Sequence, residues 1–501
     1  MKQYKTTIIK VIFILISISF VIPSLVYLIR NGTILGFKTY YNFFINDGSN
    51  KTMSTIIYLG IFTILSIIYL YFINKKDSFQ GIKQVLIYTG ITSAIFIVML
   101  PWTTSDIFYY MGVGELDSVY QQNPYYITMK DYGNQNKEIL KNDPIMKQGY
   151  ANYWAGTTVV YGPIAQLIFR SITKISFKNI DICIVLFKLV NIIVHLINCY
   201  LIFKITKKLK FSIIYGLNPF ILLEFIANVH NDVIIILFIL LSLYFLLKKK
   251  QILPSVALLA IATGIKYFTI LLLPVVILYH FRDEQKIWKR LLRCIQYGSI
   301  FLIILLLEYA IYFKDMSIFT AMIVQTKRYC KSFYSGIFAL GVVNKKVELN
   351  IFGKWYPINS ICEITRNIML MTFAFLYITF CINLLLKKNI RLQKTLKNYS
   401  FCLLLFIMSL SNFQQWYLLW LFATLPWQKP NIARNIIGLS LASEVGNSIY
   451  MFKTESYKYD ANFVFIIAVT FIIWVISTNT GRQKKLKKLI EIFNKPLFEK
   501  N

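Results

Sequence analysis

Apolar residues run along this chain in blocks separated by short polar or basic breaks. Most blocks approach the roughly 17 to 25 residues that a helix needs to cross about 30 Å of hydrocarbon. They fall near 6–29, 54–74, 84–101, 181–203, 211–227, 230–247, 252–265, 267–281, 294–313, 362–386, 398–411, 416–428, 434–450 and 461–478. The pattern predicts an all-α polytopic membrane protein, a multi-helix bundle of about 11 to 14 transmembrane segments with 14 preferred. Several blocks are short, notably the pair divided at Gly264-Ile265-Lys266. Lipid cannot satisfy irregular backbone, so such breaks must face protein or a water-filled cavity. The first block follows Lys2, Lys5 and Lys10, as a signal peptide would. It is long for one and Pro23-Ser24 offers no small-x-small cleavage site, so an uncleaved span is expected.

Charge orients the blocks. The basic loops at Lys75-Lys76, Lys204 to Lys210, Lys248 to Lys250, Arg282 to Arg293 and Lys387 to Lys397, with the tail RQKKLKK, belong in the cytoplasm, as do both termini. Thr158 to Ile172 (TVVYGPIAQLIFRSI) would break this alternation if it crossed, and it carries Gln166 and Arg170. It is read as an amphipathic helix in the membrane interface. Two sizeable outward loops result, 102–178 and 314–361, the first containing interfacial helices. The expected organisation is an N-terminal transmembrane pair (1–83), a core (84–430), a C-terminal transmembrane pair (431–480) and a basic cytoplasmic tail (481–501).

Composition agrees, with 57% apolar residues. The formal charge of +32 sits in short loops beside the spans, which is topology and gives no reason to expect nucleic acid as a partner. Seven cysteines lack ligand spacing, and those in apolar runs, such as Cys183, Cys199 and Cys402, read as small hydrophobes. Neither metal nor another cofactor is expected.

Polar residues at the edges of the blocks are the candidates for chemistry. Asp106 follows the run IVMLPW directly. It either starts an interfacial helix as a cap or serves as a general base at the lipid–water boundary, and the two roles are compatible. His230, Asn231 and Asp232 stand between two spans, more polar groups than a helix cap needs, with Glu224 six residues earlier. Lys266 lies within ALLAIATGIKYFTILLLP and either snorkels or faces a cavity, pairing with a phosphate or one of these acids. Lys327, Arg328 and Lys331 form an outward basic cluster of the kind that holds phosphate. Gln414, Gln415, Trp416 and Tyr417 combine amides with aromatics at a span end, as a sugar site would; Glu444 and Asn447 are further polar candidates.

Asp106 after a span, Asn123-Pro124-Tyr125, Tyr161-Gly162-Pro163, Asn218-Pro219, His230-Asn231-Asp232, Lys266 and Trp416-Tyr417-Leu418-Leu419-Trp420 occur here in this order. The series resembles the GT-C superfamily of polyprenyl-phosphate-sugar-dependent glycosyltransferases, and within it the polyprenol-phosphate-mannose-dependent α-1,6-mannosyltransferases. The resemblance runs from about residue 84 to 430. It implies transfer of a hexose, mannose favoured, from a polyprenyl-phosphate donor in the bilayer to an extracytoplasmic glycan or lipid-linked acceptor. Asp106 would be the base of an inverting displacement, and Lys327, Arg328 or Lys266 would bind the donor phosphate. His230, Asn231, Asp232, Glu224, Tyr161, Gln415, Trp416 and Tyr417 would line the sugar or acceptor site. It further implies a multi-pass protein of a bacterial cell membrane with its active site on the outer face. Gln415 stands where similar sequences often carry proline before WYLLW, and DYGNQNKEILKNDPIMKQGYANYW lengthens the first loop.

Two rival classes are a transporter or flippase for lipid-linked oligosaccharides and a polysaccharide polymerase. A transporter would show repeated halves with midplane charges, and no repeat stands out in the sequence. A polymerase would be expected to centre on Arg and His in place of an acid after a span.

Overall fold

The computed structural model describes residues 2–31, 48–75, 77–101, 104–327, 348–351, 354–387 and 390–452. The expected span 461–478, the tail 481–501, Arg328 and Lys331 lie outside these residues. The described chain is helical apart from one antiparallel ribbon between residues 314 and 361, a stretch expected to face outward. There Glu348–Ile351 pairs with Lys354–Pro357, Glu348 opposite Pro357.

Helices α1 (Lys2–Asn31), α2 (Gly48–Asn74) and α3 (Ile82–Ile95) precede the loop 102–178. That loop folds into five short helices: α4 (Asp106–Ser118), α5 (Met129–Gln135), α6 (Lys137–Asn142), α7 (Pro144–Tyr150) and α8 (Pro163–Ile175). The bundle continues with α9 (Ile180–Thr206), α10 (Leu209–Gly216) and α11 (Pro219–Ile221), the last extended by a π-helical turn at Leu222–Ala227. Next come α12 (Asp232–Tyr244), α13 (Ile252–Thr263), α14 (Leu273–His280), α15 (Ile287–Ala310) and α16 (Thr320–Lys327). The series closes with α17 (Ile358–Leu386), α18 (Leu392–Ser409), a 3₁₀ run at Gln415–Ala423 and α19 (Pro430–Phe452).

Among the described residues, five helices are long and apolar enough to cross a membrane: Thr6–Val26, Ile56–Asn74, Ile180–Thr206, Ile287–Ala310 and Glu363–Leu386. A sixth crossing arises if α10 and Pro219–Ala227, bent by 43°, count as one. The bend has a local cause at Asn218-Pro219. Proline brings no N–H to the helical ladder, and the Asn218 side chain instead accepts from the Phe220 N–H. Other expected crossings fall on shorter elements. Ile82–Val98, Ile252–Thr263 and Tyr267–His280 are apolar but short, and most of 416–428 is the 3₁₀ run.

Helix α9 holds these broken pieces in place. Lys188, Asn191, His195 and Asn198, spaced by three and four residues, form one buried polar stripe, while Ile182, Val185, Leu189, Ile193 and Ile197 face outward. Asn191 donates to the carbonyls of Phe225 (2.7 Å) and His230 (3.1 Å), and Asn198 to that of Val233 (2.9 Å). Lys188 donates to the carbonyls of Phe96 and Met99 at the end of α3. Side chains thus satisfy carbonyls that a continuous helix would have paired, the condition for a broken helix in an apolar bundle.

Helix α8 is amphipathic, as its sequence predicts, and its polar side meets protein. Gln166 donates to the Val113 carbonyl and to Asp117, and Arg170 pairs with Asp117 at 3.0 Å. On the other side Ile164, Leu167, Ile168 and Ile175 border an open apolar groove of about 390 Å³ shared with Val190 of α9.

Candidate active site

The polar loops gather at one end of the bundle. Asp106 meets His230, Lys266 meets Asp232, Gln415 meets Glu224, and Asn123 donates to the Tyr312 carbonyl. Elsewhere Arg290 donates to the carbonyls of Arg282, Glu284, Leu385 and Lys387, tying two of the basic loops together.

Asp106 is the first residue of α4, but its side chain does not cap that helix. The cap position is Ser105, which makes no side-chain cap hydrogen bond. The Asp106 carboxylate instead points at His230, Oδ2 lying 3.6 Å from Nδ1. The following turn is fixed by aromatics. The Tyr109 hydroxyl donates to the Thr158 carbonyl at 3.0 Å, and Tyr110 stacks on Phe169 with its hydroxyl 3.2 Å from that of Tyr161. Burial first, with the charge of Asp106 adding to it, pushes the phenols of Tyr109 and Tyr161 up, so both stay neutral donors at physiological pH.

Tyr161-Gly162-Pro163 owes its glycine to a close backbone approach. The Gly162 N–H donates to the Ile265 carbonyl (3.1 Å) and the Ile164 N–H to that of Gly264 (2.9 Å). A Cβ on Gly162 would come within 2.3 Å of the Gly264 oxygen. This junction sets Tyr161 beside Lys266, whose ammonium lies 5.8 Å from the ring centroid.

The segment FIANVHND is irregular throughout. Glu224 sits in the π-helical turn, a feature frequent at functional sites, and the β-branched Val229 adopts φ 63°, a strained left-handed conformation. His230 is fully buried, with Trp416 stacked on its ring at 3.7 Å and its Nε2 3.1 Å from Glu224 Oε2. Neither ring-nitrogen contact is aligned as a hydrogen bond in this conformation. Asn231 precedes α12 without capping it, and its buried amide has no hydrogen-bond partner. Asp232 is held by Lys266 Nζ at 2.8 and 3.0 Å and by the Trp420 indole N–H at 2.6 Å. Trp420 stacks between Phe268 and Tyr417, and Lys266 lies 4.8 Å from the Tyr417 centroid.

Three acids of this cluster differ sharply in access. The side chain of Asp106 is 17% exposed, that of Asp232 1% and that of Glu224 0%. Glu224 accepts from the Gln415 amide at 3.2 Å, and Glu444 accepts from the Tyr58 hydroxyl at 2.8 Å. Among the described residues no group of three His, Cys, Asp or Glu is placed to hold a metal ion.

The structure brings Asp106, Tyr161, Glu224, His230, Asn231, Asp232, Lys266, Gln415, Trp416 and Tyr417 into one region. Lys327 closes α16, and with Arg328 outside the described residues the outward basic cluster has no described geometry. Sequence reasoning quoted Trp420 in a motif without giving it a role, and missed Tyr58 and the α9 stripe. The stripe carried a readable signal, since Lys188, Asn191, His195 and Asn198 recur at helical spacing within an otherwise apolar span.

Residues 22–282 match a family model described as alpha-(1->6)-mannopyranosyltransferase, N-terminal domain. No curated protein and no solved structure matches the chain.

Proposed function

The chain belongs to the alpha-(1->6)-mannopyranosyltransferase family, whose match covers more than half of it, and we propose that it draws its mannose from a polyprenyl-phosphate donor. It is a membrane glycosyltransferase. In the proposed reaction an acceptor hydroxyl of an extracytoplasmic glycan or lipid-linked saccharide attacks the anomeric carbon. The carbon–oxygen bond to the lipid phosphate breaks, and its electron pair leaves with the phosphate. The hydroxyl proton passes to Asp106. Attack opposite the leaving group inverts the centre, so a β-linked donor gives an α-linked product.

Access to the site carboxylates carries this reading. Asp232 is neutralised by Lys266 and Trp420, and Glu224 is sealed. Asp106 therefore supplies the acid that a substrate hydroxyl can reach, beside Tyr109, Tyr110 and Tyr161. Lys266, 16% exposed, presents its ammonium where Asp232 does not reach out, and it meets the developing phosphate charge. Lys327 and Arg328 are further phosphate ligands in this proposal. The aromatic faces of Tyr161, Tyr417 and Trp416 suit a pyranose ring and Asn231 its hydroxyls, while His230, Glu224, Asp232 and Gln415 form the wall behind them.

The test is reconstitution of the wild type and Asp106→Asn with polyprenyl phosphates carrying mannose, glucose, galactose or N-acetylhexosamines, offered cell-envelope acceptors. Transfer from the mannosyl donor, falling about 10²- to 10⁴-fold in the variant, is expected of a general base. Equal transfer by both proteins would remove Asp106 from the chemistry. Preference for another sugar would overturn mannose, and a β-linked product from a β-linked donor would overturn inversion.

A further inference from the structure

The backbone is most strained at the break between the π-helical turn and α12. Val229 is β-branched yet sits at φ 63°, in the left-handed region where glycine is usual at a helix end. A strained residue of this kind persists only where its surroundings over-determine it. On either side of it the chain is turned back onto the π-helical turn. The Asn228 N–H donates to the Leu223 carbonyl (2.9 Å) and the His230 N–H to the Glu224 carbonyl (3.1 Å).

One side chain spans this break. Asn191 of α9, 2% exposed, donates through its amide nitrogen to the Phe225 carbonyl at 2.7 Å and to the His230 carbonyl at 3.1 Å. An amide NH₂ carries two hydrogens, so both bonds can form at once. One carbonyl lies before Val229 and the other after it, and Phe225 and His230 are both 0% exposed. A carbonyl buried so deeply keeps its whole desolvation cost if its donor is removed. The other residues of the α9 stripe bind elsewhere. Lys188 donates to the carbonyls of Phe96 and Met99, His195 Nε2 lies 3.0 Å from the Gly216 carbonyl, and Asn198 donates to the Tyr215 hydroxyl and the Val233 carbonyl. Of the four, Asn191 alone joins the two sides of the break. The site side chains after Val229 are held at their tips, His230 by Trp416 and Asp232 by Lys266 and Trp420. The Asn231 side chain has no hydrogen-bond partner, so its place depends on the backbone that carries it.

We propose that Asn191 is a positioning residue of the transfer reaction: its amide clamps the two sides of the left-handed Val229 and so fixes His230-Asn231-Asp232 against Asp106 and Lys266. It touches neither sugar nor phosphate. The inference rests on the proposed reading that this segment lines the site.

Asn191→Leu replaces the amide by the nearest apolar shape and removes both donor hydrogens. Transfer from polyprenyl-phosphate mannose by the reconstituted protein should fall about 10²-fold in kcat, the cost of an ångström-scale misplacement, with KM for the donor changed little. His195→Leu is the control, since it strips a buried carbonyl of its partner on the same helix face, at Gly216 and away from the break. It should lower the melting temperature about as much as Asn191→Leu and keep kcat. Equal kcat losses in the two variants, or a loss in Asn191→Leu confined to KM, would reduce Asn191 to packing and overturn the proposal. Glycine at position 229 tests the strain, because it takes the left-handed conformation without a steric cost and frees the turn from its clamp. Asn191→Leu should therefore cost several-fold less in kcat in a Val229→Gly background than in the wild type; equal costs in the two backgrounds would overturn the proposal. If Asn191→Leu does not fold, Asn191→Ser keeps one donor and carries the same comparisons, with a smaller loss expected. Asp106→Asn is assayed alongside. Loss of transfer there with full transfer by Asn191→Leu overturns the clamp and keeps the base, and the opposite pair of results overturns the base and keeps the clamp.

Discussion

Asp232 is the residue where charge and burial meet most directly. A carboxylate 1% exposed survives there because Lys266 and the Trp420 indole both donate to it. Removing one partner strands the charge, so Lys266→Met should cost about 3 to 5 kcal/mol, read as a lowered melting temperature of the purified protein. Lys266→Met combined with Asp232→Asn should regain most of that loss, because no buried charge remains unpaired. It should not regain transfer, since the ammonium proposed to face the phosphate is still missing. Recovery of both stability and transfer would make the pair purely structural. Much of this cluster was visible in the sequence, because polar residues at the edges of apolar blocks stand out against their surroundings. Asp106, the His230-Asn231-Asp232 run, Lys266 and the Trp416-Tyr417 pair were all found that way. The partnerships were not visible. Asp232 and Trp420 are separated by 188 positions, and no periodicity links an aspartate to an indole that far along the chain.

At the scale of elements, helix boundaries in the loop 102–178 followed from local chemistry. Thr128 caps α5 and Asp143 caps α7, each accepting from a backbone N–H, and Pro163 occupies the first turn of α8. Spans were harder, because length and hydropathy do not reveal where a helix is broken to line a site. The WYLLW run reads as a crossing yet forms a 3₁₀ stretch whose aromatics stack on His230 and Phe268. Helix α4 carries a titratable group of its own. Burial, then the charge of Asp143 and a hydrogen bond to it, push Glu115 up to about 8 from 4.5, with Lys178 pulling the other way. Glu115 therefore stays protonated in the fold at pH values where the unfolded chain has ionised it. Stability is unaffected below about pH 4.5 and falls as pH rises toward 8, because the unfolded state there binds fewer protons than the folded one. Glu115→Gln removes this term, so its melting temperature should decline less between pH 5 and 8 than that of the wild type. Parallel declines would show that Glu115 does not titrate in that range.

For the whole molecule, the alternation of polar and basic loops is the feature that sequence and structure share most closely. Helices leave the Asp106 end at His230, Lys266, Tyr312 and Gln415, and the intervening turns carry Lys204 to Lys210, Lys248 to Lys250, Arg282 to Arg293 and Lys387. Charge bias acts on loops, so it survives in the sequence even where the helices between them are short or bent. The number of crossings does not survive, since a re-entrant pair and two short spans leave the same charge pattern. The alternation also makes a prediction about sidedness that does not depend on the count. In a cysteine-free background, Lys130→Cys and Lys141→Cys place exposed thiols on the site loop, and Lys249→Cys and Lys286→Cys place them on basic loops. A membrane-impermeant maleimide added to intact cells should label the first two alone, and permeabilised cells should show all four. The reverse pattern would put the chemistry in the cytoplasm and make a soluble sugar donor the natural substrate. Labelling of one site-loop thiol together with one basic-loop thiol would break the alternation, and with it the argument that Asp106 faces an acceptor outside the membrane.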